Sequence, residues 1–110
     1  MIIDRDGNIT IITQEKASIK TLVHNIEQGY NKHKNYHIVV NITSIDNVTL
    51  MDIVEFLRLS NNHRADKKSF VIVTANANLD EMPDELVVVP TMKEAYDIIE
   101  MEDIERDLGF

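Results

Sequence analysis

The sequence predicts an α/β domain built on a mixed, mostly parallel sheet, with an N-terminal β-hairpin, the element order ββαβαββα and helices packed on the sheet. Three observations carry this. Two aliphatic runs, Met1 to Ile3 and Ile9 to Ile12, flank Asp6-Gly7-Asn8, whose residues suit the positive φ angles of a tight hairpin turn. Short β-branched runs, His37 to Ile42, Phe70 to Val73 and Val87 to Val89, read as buried strands between polar segments. Between and after them, apolar residues recur at three- and four-residue steps, the period of a helix with one buried stripe. Strands that alternate with helices in this way form a parallel sheet.

After the hairpin, Ile19, Leu22, Val23 and Ile26 mark one face of a helix expected from Glu15 to about Tyr30, with Gly29 near its end. The polar linker NKHKN leads into the His37 strand, which ends in Thr43 and Ser44. Thr49, with Asp52 three residues on, has the pattern of a helix cap, and Leu50, Ile53, Val54 and Leu57 mark the face of a helix running to about His63. Asparagines and a basic linker separate that helix from the Phe70 strand. A longer loop, Thr74 to Glu85, precedes Val87-Val88-Val89, which Pro90 ends. Thr91 with Glu94 repeats the capping pattern ahead of a last helix that carries Ala95, Ile98, Ile99 and Ile104.

A chain of 110 residues with 44% apolar content is large enough for one hydrophobic core without metals or disulfides, so a single domain over 1–110 is expected. The absence of cysteine excludes disulfides, thiolate nucleophiles and sulfur-ligated zinc. The start, MIIDRDGN, puts acids where a signal peptide needs a basic end and an apolar core, and no apolar run approaches membrane-spanning length. A cytoplasmic protein without membrane contact is the expectation.

The net charge of −8 is unevenly placed: Met1 to Leu79 holds nine basic and eight acidic residues, and Asp80 to Phe110 two basic and eleven acidic. Such a surface repels nucleic-acid phosphates and attracts a basic protein partner, although a charge run of this kind also reads simply as a solvated helix face. Paired acids, Asp84-Glu85 and Glu102-Asp103, diverge on a strand or helix and read as solvent-facing charge.

Catalytic chemistry finds little support. His33 and His37 have a metal-binding i, i+4 spacing only if the segment is helical, yet it runs into a strand, so both are expected to be solvated loop residues. No Gly-x-Ser-x-Gly elbow surrounds Ser18, Ser44, Ser60 or Ser69. Three glycines, Gly7, Gly29 and Gly109, build no phosphate-cradling loop. Neither an enzymatic activity nor a cofactor or metal is expected.

The stretches IVVNITSIDNVTLMDIVEFLRL and FVIVTANANLDEMPDELVVVPTMKEAYDII resemble the STAS domain shared by anti-sigma-factor antagonists and the cytoplasmic ends of sulfate transporters. The resemblance covers roughly Asn8 to Glu100 and rests on pattern: a hydrophobic strand ending in an amide, a loop into an apolar helix, and a valine strand followed by Pro, Thr and a helix with Ala. It implies a regulatory module for protein–protein interaction. In the antagonists, the loop before that helix carries Asp-Ser-Ser-Gly, and one serine accepts phosphate from a partner kinase. Those positions fall here on Thr49, Leu50, Met51 and Asp52, so both serines are replaced by side chains with no hydroxyl, expected to pack rather than signal. Ser44 and Thr49 bracket the loop as alternative phosphoacceptors; each also reads as a plain turn or cap residue.

NITSID, FLRLSNNHR, FVIVT and the ending IIEMEDIERDLGF are similar to short bacterial proteins that travel under the name ribonuclease Z. The enzyme of that name holds two zinc ions with a His-x-His-x-Asp-His cluster, which His24, His33, His37 and His63 do not form. The second resemblance therefore implies an accessory protein associated with that enzyme.

Two surfaces are expected to meet a partner. The first is the loop and first helical turn with Ser44, Asp46, Asn47, Thr49 and Asp52. The second is the acidic C-terminal helix, with Asp103, Glu105, Arg106, Leu108 and Phe110, which either docks on a partner or folds back onto the sheet.

Overall fold

A computed structural model describes every residue except Ala17 and Phe110. The hairpin forms as expected: β1 (Ile2–Asp6) pairs antiparallel with β2 (Ile9–Thr13), Ile3 opposite Ile12 and Asp6 opposite Ile9, and Gly7 takes a φ of 59° in the turn. From β2 the sheet grows in one direction through β3 (His37–Asn41), β4 (Phe70–Val73) and β5 (Val87–Val89), all parallel, giving the spatial order β1-β2-β3-β4-β5. The expected mixed, mostly parallel sheet is thus present.

The period-2 alternation of the strands sorts their side chains onto two cores. Ile12, Ile38, Val40, Phe70 and Ile72 face one layer of helices, while Ile9, Val39, Val71, Val73 and Val89 face the other side. The first layer is α1 (Ile19–Gln28), α2 (Leu50–Val54) and α3 (Leu57–Ala65), on one face as same-handed crossovers along a sheet growing one way require. The second is α4 (Met92–Asp107) alone, which buries Ala95 and Ile99 over β3, β4 and β5. One-turn 3-10 segments lie at Tyr30–Lys32 and Leu79–Glu81.

Two helix boundaries differ from the sequence expectation. The first helix begins at Ile19 instead of Glu15, because the Ser18 hydroxyl accepts the Thr21 amide and stops the helix there. The second is interrupted at Glu55 and Phe56, whose amides bond three residues back, to Asp52 and Ile53. Ile53, Phe56 and Leu59 are all buried, and a spacing of three residues keeps them on one side only if the helix tightens locally.

Candidate functional site

The parallel strands place two sets of loops at opposite ends of the sheet. At the carboxyl ends of β3 and β4 lies the corner from Asn41 to Asp52. Its backbone is tied internally: the Thr43 amide and hydroxyl both donate to the Asn41 carboxamide oxygen, at 3.1 and 2.8 Å. Asn76, from the loop after β4, donates to the carbonyls of Ile45 (2.8 Å) and Thr43 (3.3 Å). Asn47 adopts a φ of 55°, a left-handed conformation asparagine tolerates. Thr49 and Asp52 close a reciprocal cap, the Asp52 amide donating to Thr49 Oγ1 and the Thr49 amide to Asp52 Oδ2. Thr49→Ala is expected to cost about 1 kcal/mol in urea denaturation, and Thr49→Ser almost nothing, because the hydroxyl alone makes the cap.

The corner unites Ser44, Asp46, Asn47, Thr49 and Asp52, with Ser44, Asp46, Asn47 and Thr49 exposed. What the sequence missed is the apolar surface beside them. Leu50 and Met51, expected to pack, are 39% and 72% exposed, and Val54 37%, because the short α2 turns only Ile53 into the core. With Val23, Leu57 and Leu59, Met51 and Val54 border a groove of about 420 Å³ between α1 and α2–α3, and Glu27 and Arg58 close its rim through an ion pair of 2.7 Å.

The second expected surface, at the end of α4, lies at the opposite, amino-terminal end of the strands, and the two do not form one site. Asp103 and Arg106 turn inward. Asp103 Oδ1 accepts from His37 Nε2 and from Arg106 Nη1, both at 3.0 Å. Arg106 Nη2 donates to Ser69 Oγ (2.8 Å), which donates to Glu102 Oε1 (2.6 Å), and Glu102 Oε2 accepts from Arg64 Nη1 (3.0 Å). Glu105 and Leu108 point to solvent, and Phe110 lies outside the described residues. The adjacent acids Glu102 and Asp103 are therefore not simply solvent-facing charge: Glu102 is largely enclosed, Asp103 stays partly exposed, and both tie the last turns of α4 to the starts of β3 and β4. Ile104, expected to pack, is 53% exposed.

The histidines also depart from expectation. His33 and His37 are buried, not solvated. The Ser69 amide donates to His37 Nδ1 at 2.9 Å, so the ring carries its proton on Nε2 and offers it to Asp103. Burial holds His37 below the usual imidazole range against the pull of Asp103; burial followed by the Arg5 and Lys32 charges lowers His33. His63 is fully buried, donates from Nε2 to the Tyr36 carbonyl and accepts the Tyr30 hydroxyl at Nδ1. Burial pushes it down to about 4. Ser69 Oγ is bonded to Glu102 and Arg106 rather than to His37, so the three residues Ser69, His37 and Asp103 are not connected as a nucleophile triad.

No protein-family model matches the chain, and no curated protein does. Among the described residues no three His, Asp or Glu side chains converge in the manner of metal ligands, and no helix is long and apolar enough to cross a membrane.

Proposed function

We propose that the chain is a STAS-like, non-catalytic interaction module that docks a protein partner on the corner of Ser44, Asp46, Asn47, Thr49 and Asp52, without a phosphoacceptor serine. The observation that carries this reading is the exposure of Met51, at 72%, beside Leu50 and Val54, on a helix whose cap is already satisfied within the chain. An apolar patch left in water next to a groove costs free energy that a partner recovers by covering it. The positions are also those at which the family resemblance places its switch. Here they offer a thioether and a branched aliphatic chain, which suit permanent contact better than charge-driven release.

Affinity purification of tagged wild type beside Met51→Asp and Glu105→Ala tests this. A protein held by wild type and by Glu105→Ala, but depleted about tenfold or more by Met51→Asp, is the expected result, since a carboxylate buried at an apolar contact costs more than 1.4 kcal/mol. Equal recovery by all three, or no specific protein, overturns the reading. Intact-mass measurement of the chain from cells supplies a second arm. Unmodified mass is expected; one added phosphate on Ser44 or Thr49 replaces this reading with a phosphoswitched antagonist. Ribonuclease Z among the Met51-dependent proteins would identify the accessory role.

A further inference from the structure

On its second face the sheet is only partly covered. α4 spans β3, β4 and β5, and the register of the hairpin puts Ile9, Ile11 and Thr13 of β2 beside Asp6, Asp4 and Ile2 of β1 on that same face, and every residue of β1 is exposed. Ile2 is 51% exposed, and Ile104 on the facing side of α4 is 53% exposed. At the Asn8–Ile9 end of the hairpin, beside α4, runs a groove of about 370 Å³ with Ile9, Ile99 and Ile104 among its lining and Tyr96, whose hydroxyl donates to Asp6, also lining it. Two neighbouring strands are about 10 Å across, and helices pack at about 8–10 Å from one another, so the space over β1 and the outer part of β2 beside α4 has the width of one helix.

The rim decides what kind of helix. Glu100, Asp103 and Asp107 line the groove from α4, and the hairpin register puts Asp6, opposite the groove residue Ile9, and Asp4, one pair further along, on the same face of the sheet. Among the described residues that line the groove there is no lysine or arginine. Asp103 is held by His37 and Arg106 and Asp6 by Tyr96, which leaves Asp4, Glu100 and Asp107, all exposed, to receive outside cations. An apolar floor between carboxylate rims matches a helix with an aliphatic stripe flanked by lysine or arginine, and the overall charge of −8 steers such a helix inward. We infer that the groove between α4 and the β1–β2 hairpin receives a basic amphipathic helix of a partner protein, which completes the second helical layer over β1 and β2. The inference uses none of the α2 residues, so it stands or falls separately from the Met51 corner.

The test is a titration of the full chain, followed by amide chemical shifts, with a synthetic peptide carrying leucines on one helical face and lysines on both flanks. A peptide of the same composition in scrambled order and one with glutamate for lysine are the controls. Saturable binding is expected, with shifts confined to β1, β2 and the Tyr96, Glu100 and Ile104 side of α4. Glu100→Lys and Asp107→Lys are each expected to weaken it roughly tenfold, while Asp97→Lys, on another side of α4, does so far less. All three positions are exposed, and unchanged shifts elsewhere verify the fold. Equal binding of the scrambled peptide, shifts centred on Leu50 and Met51, no saturation, or self-association of the free chain through Ile104 overturns the proposal. None of these outcomes changes what Met51→Asp does to partner capture.

Discussion

Lowering the pH from 7 to 4 is expected to remove about 3 kcal/mol of stability through His63 alone. The ring is fully buried, in edge-to-face contact with Tyr30 and Phe70 at centroid distances of 5.6 and 6.2 Å, and both of its nitrogens are already used. A second proton would sit on Nδ1, where the Tyr30 hydroxyl now donates, and would bring a charge into an apolar core. With the folded ring held at about 4 and the unfolded ring at 6.5, the unfolded chain binds the proton that the folded chain refuses throughout that interval. Stability from this group is therefore complete above pH 6.5, falls as the pH drops toward 4, and changes no further below it. His33 and His37 are lowered in the same direction and steepen the loss. Urea denaturation at a series of pH values checks this. His63→Gln, which keeps a donor and an acceptor but cannot take the charge, should flatten the curve; a nuclear magnetic resonance titration of His63 near 6.5 would refute the account.

Glu102→Ala is expected to cost about 2–3 kcal/mol, somewhat less than the roughly 3–5 kcal/mol of breaking a fully buried pair because the site is not fully enclosed. The Glu102 side chain is 19% exposed and accepts from Ser69 Oγ and Arg64 at once, while Arg64 also donates to the Phe70 carbonyl. Removing the carboxylate that Arg64 and Arg106 both approach leaves the two guanidiniums with one counter-charge, Asp103 on Arg106, instead of two. Glu102→Gln keeps an acceptor for Ser69 and should cost less than half as much. The loss should be local as well as global: amide exchange in the last turns of α4 should quicken before that of β3 and β4, because this network is what holds them to the sheet. A loss below about 0.5 kcal/mol, the size typical of an exposed surface pair, would show that the network contributes only surface charge.

Most of the architecture was legible because it depends on local pattern. The two faces of β3 and β4, the stripe Ile19-Leu22-Val23-Ile26 of α1, the Gly7 turn and the caps at Thr49 and Thr91 all follow from residues a few positions apart. The corner at Ser44 to Asp52 was legible for the same reason: it is one continuous segment between a strand and a helix. The Asn76 anchor was not, since its partners Thr43 and Ile45 are more than thirty positions away.

By itself, the sequence determined the element types and their order, the mostly parallel sheet and the location of the acidic excess, since hydrophobic period and turn chemistry act at short range. Only the tertiary structure decided which polar residues leave water and which apolar ones stay in it. His37, Ser69 and Asp103 meet because β3, β4 and the end of α4 converge there, which turns an expected loop histidine into a buried one bonded to a half-buried acid. Leu50, Met51 and Ile104 carry the composition of core residues yet remain exposed, because α2 is too short to bury more than Ile53 and α4 reaches the sheet through Ala95 and Ile99. Burial is settled by what packs opposite a residue, and no local pattern contains that information.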